Sequence, residues 1–287
     1  MGYKFNNIHN RNGTVFYTIV NNYSDMNNFI YFSELEDIHK LPNYHIQQMK
    51  DTFEHLYTVK ISNDSTVFYE SYIYKTNKYK LSEKILLCDS KKILELMKNH
   101  NNPYIIKFVD FENTTENISI HELCIQACIM DGFTLHYISK QQKEKNIFSY
   151  LQYELLCIEA CKQNGLALRF VLYQSDNICI IACSNNGYAL KYVVNQTEQI
   201  CIEACNKNGL ALIYVENQTY NICISACKSN GLSLQYVFLP NSTLNKIACS
   251  NNGMALEFVR IQTREICNIA CKQNKDAHKF IKKNLYN

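Results

Sequence analysis

Tryptophan is absent from the 287 residues, and proline occurs only three times. With 47% hydrophobic and 19% charged residues, so little proline excludes a collagen-like or disordered chain and predicts one that folds. No run of about 18 apolar residues is present, so no membrane-spanning helix is expected. The opening segment Met1 to Asn7 lacks the apolar centre of a signal sequence, which makes a cytosol the expected setting. Charge of one sign is missing too. The 29 basic residues against 26 acidic ones leave a formal net charge of +3, too balanced to draw nucleic acid by bulk electrostatics.

Cysteine, by contrast, is plentiful, at 14 residues. Outside a secreted setting such a number points to thiols, metal ligands or catalysis before disulfides, and spacing has to decide. Most fall in pairs four apart: Cys124/Cys128, Cys157/Cys161, Cys179/Cys183, Cys201/Cys205, Cys223/Cys227 and Cys267/Cys271. Each pair shares one face of a helix. Successive pairs would sit on neighbouring helices whose axes lie roughly 8 to 10 Å apart, too far for a disulfide ladder. The Cys-x-x-Cys knuckle usual in structural zinc sites does not occur. In one further unit Cys249 keeps the second position while Asn245 fills the first, so that thiol is dispensable. The expectation is a small, buried, apolar packing role, with no metal and no cofactor.

Glycine is sparse, and its placement organises the chain. Five of the eight glycines, at 165, 187, 209, 231 and 253, recur every 22 residues. Around them the text approximates Ile-Cys-x-x-Ala-Cys-x-x-Asn-Gly-x-Ala-Leu-x-aromatic-Val, as in Ile200 to Val215. A further copy near the end keeps Ala270, Cys271, Ala277, Phe280 and Ile281 but has Lys275 in place of Gly. An earlier copy holds Cys124, Cys128, Gly132, Leu135 and Tyr137, separated from the next by an insertion at Lys140 to Tyr150 that reads as a loop or helix extension. A degenerate copy with Leu94, Met97, Pro103, Ile106, Phe108 and Val109 precedes it, if two residues are inserted before Phe108.

Within a unit, Thr197 is an N-cap, as are Ser175, Thr219 and Thr263 in theirs. Ile200, Cys201, Ala204 and Cys205 form a narrow apolar stripe. Asn208-Gly209 ends the helix, with Gly expected in the left-handed conformation. Leu210, Ala211, Tyr214 and Val215 then form a second helical stripe. Helices this short are marginal alone and must stack, which predicts an α-solenoid of two-helix, 22-residue repeats. The competing reading is a leucine-rich repeat with Leu210 to Leu212 as a strand, but its Leu-x-x-Leu-x-Leu frame is missing.

Residues 1–88 have a different texture. Tyr and β-branched residues cluster at Thr14 to Val20, Phe29 to Phe32, Leu56 to Ile61, Val67 to Tyr74 and Lys78 to Leu81, which is strand chemistry. Ser33-Glu34-Leu35-Glu36 reads as a capping box opening a short helix. The resulting plan is a small α+β capping domain over 1–88 and a mostly α repeat domain over 89–287, degenerate at 89–150 and regular at 151–287.

The segment Tyr31 to Lys40, with Tyr79-Lys80-Leu81, resembles the N-terminal region of ankyrin-repeat-type proteins of giant DNA viruses. The 22-residue motif resembles a second, short helical repeat family of such viruses whose function is unknown. These resemblances imply a scaffold or adaptor in the host cytoplasm or in the virus particle, with no enzymatic activity to carry over.

Chemistry is thinly signposted. Eight histidines fall at no metal-binding or nucleophile spacing, and no Gly-rich phosphate loop occurs. Glu34, Asp37 and His39 read as a solvated helix surface. No enzyme, small-molecule substrate, nucleic acid or membrane partner is expected. What varies between units is the residue four after each Gly, Arg169, Lys191, Ile213, Gln235 and Glu257, together with Phe238 and Arg260 seven after theirs. Such variable faces are where repeat proteins bind, so these seven are the candidate contacts with a host or viral protein. A structural part in the virus particle or viral factory, or a thiol- and metal-binding role, are the alternatives.

Overall fold

A computed structural model describes the backbone of seven strands between residues 3 and 86, and then residues 89–109, 111 and 118–282. The chain divides into two compact units, Met1–Gln152 and Tyr153–Asn287.

The strands are β1 (Tyr3–Phe5), β2 (Phe16–Val20), β3 (Ile30–Glu34), β4 (His55–Ile61), β5 (Val67–Glu70), β6 (Ile73–Thr76) and β7 (Tyr79–Leu86). They pair antiparallel in the order β1-β5-β6-β3-β2-β4-β7. The run from Val67 to Tyr74 is two strands, folded back so that Glu70 pairs with Ile73. Ser33 and Glu34 do not open a helix. They continue β3 and pair with Tyr17 and Phe16 of β2, because the aromatic and β-branched run before them carries the extended backbone through. Asp37 and His39 lie outside the described residues.

The same unit contains α1 (Ser90–Asn99), a 3-10 helix (Pro103–Phe108), α2 (Ile120–Met130), a 3-10 turn (Gly132–Thr134) and α3 (Leu135–Lys145). Met97 is fully buried, as the degenerate copy requires. The two extra residues appear at the end of α1, where Asn101 takes a left-handed φ of 48°. Asn102 then accepts from Tyr104 N–H at 3.0 Å and restarts the pattern. The Lys140 to Tyr150 insertion extends α3 to Lys145. Gln142 holds the turn that follows, donating to the Phe148 carbonyl and accepting from Phe148 N–H.

From α4 (Tyr150–Gln163) onward the pattern is regular: α5 (Asp176–Asn185), α6 (Glu198–Lys207), α7 (Tyr220–Ser229), α8 (Ser242–Asn251) and α9 (Arg264–Gln273). Each is followed by a six-residue 3-10 helix, beginning at Gly165, Gly187, Gly209, Gly231, Gly253 and Lys275. Between Tyr153 and Asn287 consecutive elements stack on one another, α5 to α9 in order and the 3-10 helices in order beside them. The second element is therefore neither an α-helix nor a leucine-rich-repeat strand. A 3-10 helix has three residues per turn, so Gly209, Leu212 and Val215 align on the buried side, joined by Ala211. Leu210 and Tyr214, expected in that stripe, are only half-buried.

The N-caps form as expected: Ser175, Thr197, Thr219 and Thr263 accept from Ile178, Ile200, Ile222 and Ile266 N–H. Asn208 both ends α6, donating to the Ala204 carbonyl at 2.9 Å, and starts the 3-10 helix, accepting from Leu210 N–H at 3.1 Å. This tight hand-over needs no left-handed residue. Gly209 is required for a different reason. A Cβ there would collide with the carbonyl oxygen of Ala226 in the next unit, and Gly165, Gly187, Gly231 and Gly253 face Ala182, Ala204, Ala248 and Ala270 in the same way. Lys275 breaks the pattern where the described residues hold no further helix for a side chain to strike.

Candidate functional site

The features that set the working surface are the two corners of each unit, where one unit is tied to the next, and the residues between them. At one corner a glutamine recurs. Gln174 donates from Nε2 to the Tyr192 carbonyl at 2.8 Å, and its Oε1 accepts from Val194 N–H at 3.0 Å. Gln196 does the same to Tyr214 and Glu216, Gln218 to Tyr236 and Phe238, and Gln262 to Phe280 and Lys282. A carboxamide has both a donor and an acceptor, so one side chain satisfies both backbone groups of the next corner.

The first cysteine of each pair belongs to this ladder. Cys179, Cys201, Cys223 and Cys267 direct their Sγ–H at Oε1 of Gln174, Gln196, Gln218 and Gln262, at 3.5 to 3.8 Å. These thiols are thus weak donors as well as apolar filler. The second cysteine is packing alone in the Gly209 unit: Cys205 is fully buried against its neighbours. Burial raises the thiol pKa to about 12 for Cys183, Cys205 and Cys249, and to about 11 for Cys179 and Cys201. Such thiols stay protonated near neutral pH, the wrong state for a nucleophile or metal ligand. Among the described residues no disulfide forms and no three His, Cys, Asp or Glu side chains gather as a metal site.

At the opposite corner the amides of four of the five repeat glycines donate to a side chain twenty residues on, Gly165 to Asn185, Gly209 to Ser229, Gly231 to Asn251 and Gly253 to Gln273, while Gly187 has Lys207, a side chain with no acceptor, at that place. Those side chains in turn donate back to the carbonyls of Lys162, Asn206, Lys228 and Asn251. Both ladders escaped the sequence reading. The signal was present as the 22-residue recurrence of Gln174, Gln196, Gln218 and Gln262, but it lies outside the apolar stripes that define a helix.

All seven candidate contact residues are exposed. Arg169, Lys191, Ile213, Gln235 and Glu257 occupy the same position on successive stacked 3-10 helices and so form a row. Arg169 lies over the ring of Phe170 at 4.4 Å and Lys191 over that of Tyr192 at 5.9 Å, which supports each cation on an aromatic face. Phe238 and Arg260 are set apart from the row, together in the corners that follow the 3-10 helices of the Gly231 and Gly253 units.

Compared with family models, with curated proteins and with solved structures, the chain matches none of them.

Proposed function

We propose that the chain is a noncatalytic scaffold or adaptor that binds another protein through side chains that vary from unit to unit. The observation that supports this reading is a contrast within each 3-10 helix. The Gly, the Leu three after it and the Val six after it are buried and repeat almost unchanged, while the residue between, four after the Gly, is exposed and runs Arg169, Lys191, Ile213, Gln235, Glu257. Packing dictates the first set, while the second varies at the surface, where selection for contact can act. The row grades from basic through apolar and neutral to acidic, which offers a partner an addressed line of side chains and not one charge patch. Residues 1–88 in this reading are a separate small α+β domain, and the partner is a host or viral protein met in the cytoplasm of an infected cell.

Replacing Arg169, Lys191, Ile213 and Gln235 together by Ala is expected to leave helical content and melting temperature nearly unchanged, since exposed sites cost at most about 0.5 kcal/mol each. Binding of a partner captured by the wild-type chain should weaken at least about tenfold in titration. Full binding by the folded variant would place the contact elsewhere.

A further inference from the structure

We infer that the junction between the Gly231 and Gly253 units is a binding site for a primary carboxamide on a short apolar stem, the side chain of a glutamine in a partner peptide. Along the described glutamine corners the ladder breaks at this junction. Pro240 stands where the others have Gln174, Gln196, Gln218 and Gln262, and Asn245 stands where they have the donor cysteine. The two departures fall in one unit because they are chemically linked: without the glutamine oxygen, a thiol at 245 has nothing to donate to.

The break leaves a defined set of unused groups. In the regular corners glutamine serves a backbone carbonyl and an N–H; here the corresponding groups, the Phe258 carbonyl and the Arg260 N–H, receive no side-chain bond among the described residues. Asn245 is buried, with 7% of its surface exposed, and its Oδ1 has no hydrogen-bond partner. An orphaned buried amide oxygen is costly to the fold alone and asks for a donor. Beside it opens a cavity of about 400 Å³ that Asn245, Pro240 and Arg260 help to line, within the ~300 to 1,000 Å³ of small-ligand sites. Its apolar lining includes Phe238, Leu239 and Ile261, which are 65%, 88% and 80% exposed.

A primary carboxamide fits this set of groups. Its N–H donors match Asn245 Oδ1 and, by register with the regular corners, the Phe258 carbonyl, its oxygen matches the Arg260 N–H, and its methylene stem suits the apolar rim. A carboxylate brings acceptors only and sets them against two oxygens. An ammonium brings donors only and faces the Arg260 N–H. The pocket thus accepts from outside the group that the chain supplies itself at its other corners. That this carboxamide arrives on a protein rests on the adaptor reading above; the match between cavity and carboxamide does not.

The test is titration of the 15N-labelled full chain with N-acetyl-L-glutamine N-methylamide, with the glutamate and norleucine analogues as controls. The expected result is saturable shifts of the Asn245 side-chain amide and the Arg260 N–H with the glutamine probe, at least about tenfold tighter than with either control. Pro240→Gln with Asn245→Cys restores the regular corner from within and should abolish those shifts. Asn245→Ala, a milder change at the same site, should weaken the probe at least about tenfold while the fold is kept. Absence of saturable shifts, equal binding of the glutamate analogue, or undiminished binding by the repaired variant would overturn the proposal. The variant at Arg169, Lys191, Ile213 and Gln235 separates the two readings: if it loses the protein partner while the probe still fails to bind, the adaptor stands and the pocket falls. If the probe binds and that variant keeps its partner, the pocket stands and the row falls.

Discussion

Cys201 and Cys205 share one face of α6, yet their surroundings differ, and so should the cost of losing them. Cys205 is fully buried, so Cys205→Ala should cost about 1 to 2 kcal/mol as a small cavity. Cys201 also donates to Gln196 Oε1, which keeps its bond from Glu216 N–H when the thiol goes, so Cys201→Ala loses one weak bond on top of a similar volume. Chemical denaturation of each variant measures both. The thiols also set an alkaline limit. Burial raises the pKa of Cys205 to about 12 and, with Glu216 and Glu198 nearby, that of Cys201 to about 11, from an ordinary 9.0. As pH rises above about 9 the unfolded chain loses thiol protons that the folded chain keeps, so the thiol contribution is complete below pH 9 and is lost as pH climbs through 11 to 12. Stability should fall across that window, and a thiol reagent at pH 8 should label the buried cysteines only on unfolding. The sequence showed the pairing and the burial of these residues. It could not show the glutamine partner, which sits in the corner five residues upstream, so Asn245 read as proof that a thiol is dispensable. The structure shows Asn245 changing together with Pro240.

At the scale of the element, short helices are joined by corners whose side chains were chosen to satisfy backbone groups. The 22-residue period, the N-caps and the first apolar stripe were legible because capping and 3.6-residue periodicity are local properties of the chain. The second element was legible as helical but not as 3-10, since six residues are too few to separate a period of 3.0 from 3.6. Gly209 was found for the wrong reason: it meets the Ala226 carbonyl of the next unit, a contact that no local reading can see. Gly209→Ala tests this distinction. Intrinsic helix propensity favours Ala, but overlap with a backbone oxygen should cost about 1 to 3 kcal/mol and lower the melting temperature. An unchanged or raised melting temperature would mean the neighbouring unit yields. Gln196→Leu should likewise cost about 1 to 3 kcal/mol, because it strands the Tyr214 carbonyl and the Glu216 N–H.

Across the regular repeats between Tyr153 and Asn287, the residues divide by what fixes them. Buried Ile, Cys, Ala, Leu and Val are set by packing and corner Gln and Asn by hydrogen bonds that tie one unit to the next, while the exposed row from Arg169 to Glu257 varies from unit to unit. The row was readable in the sequence because it is what remains when the repeating positions are subtracted. The notch at Pro240 was not, because its significance depends on bonds that the other corners make. The chain contains its own control for this division. Val194, Glu216, Phe238 and Lys282 N–H are all held by a glutamine, whereas Arg260 N–H occupies the same place in its unit opposite Pro240. Native-state hydrogen exchange read residue by residue tests the claim that these carboxamides tie each unit to the next. The account predicts slow exchange at Val194, Glu216, Phe238 and Lys282, exchange at least about tenfold faster at Arg260, and slowing at Arg260 when Pro240→Gln restores the missing side chain. Equal protection at all five positions, or no change at Arg260 in that variant, would contradict it.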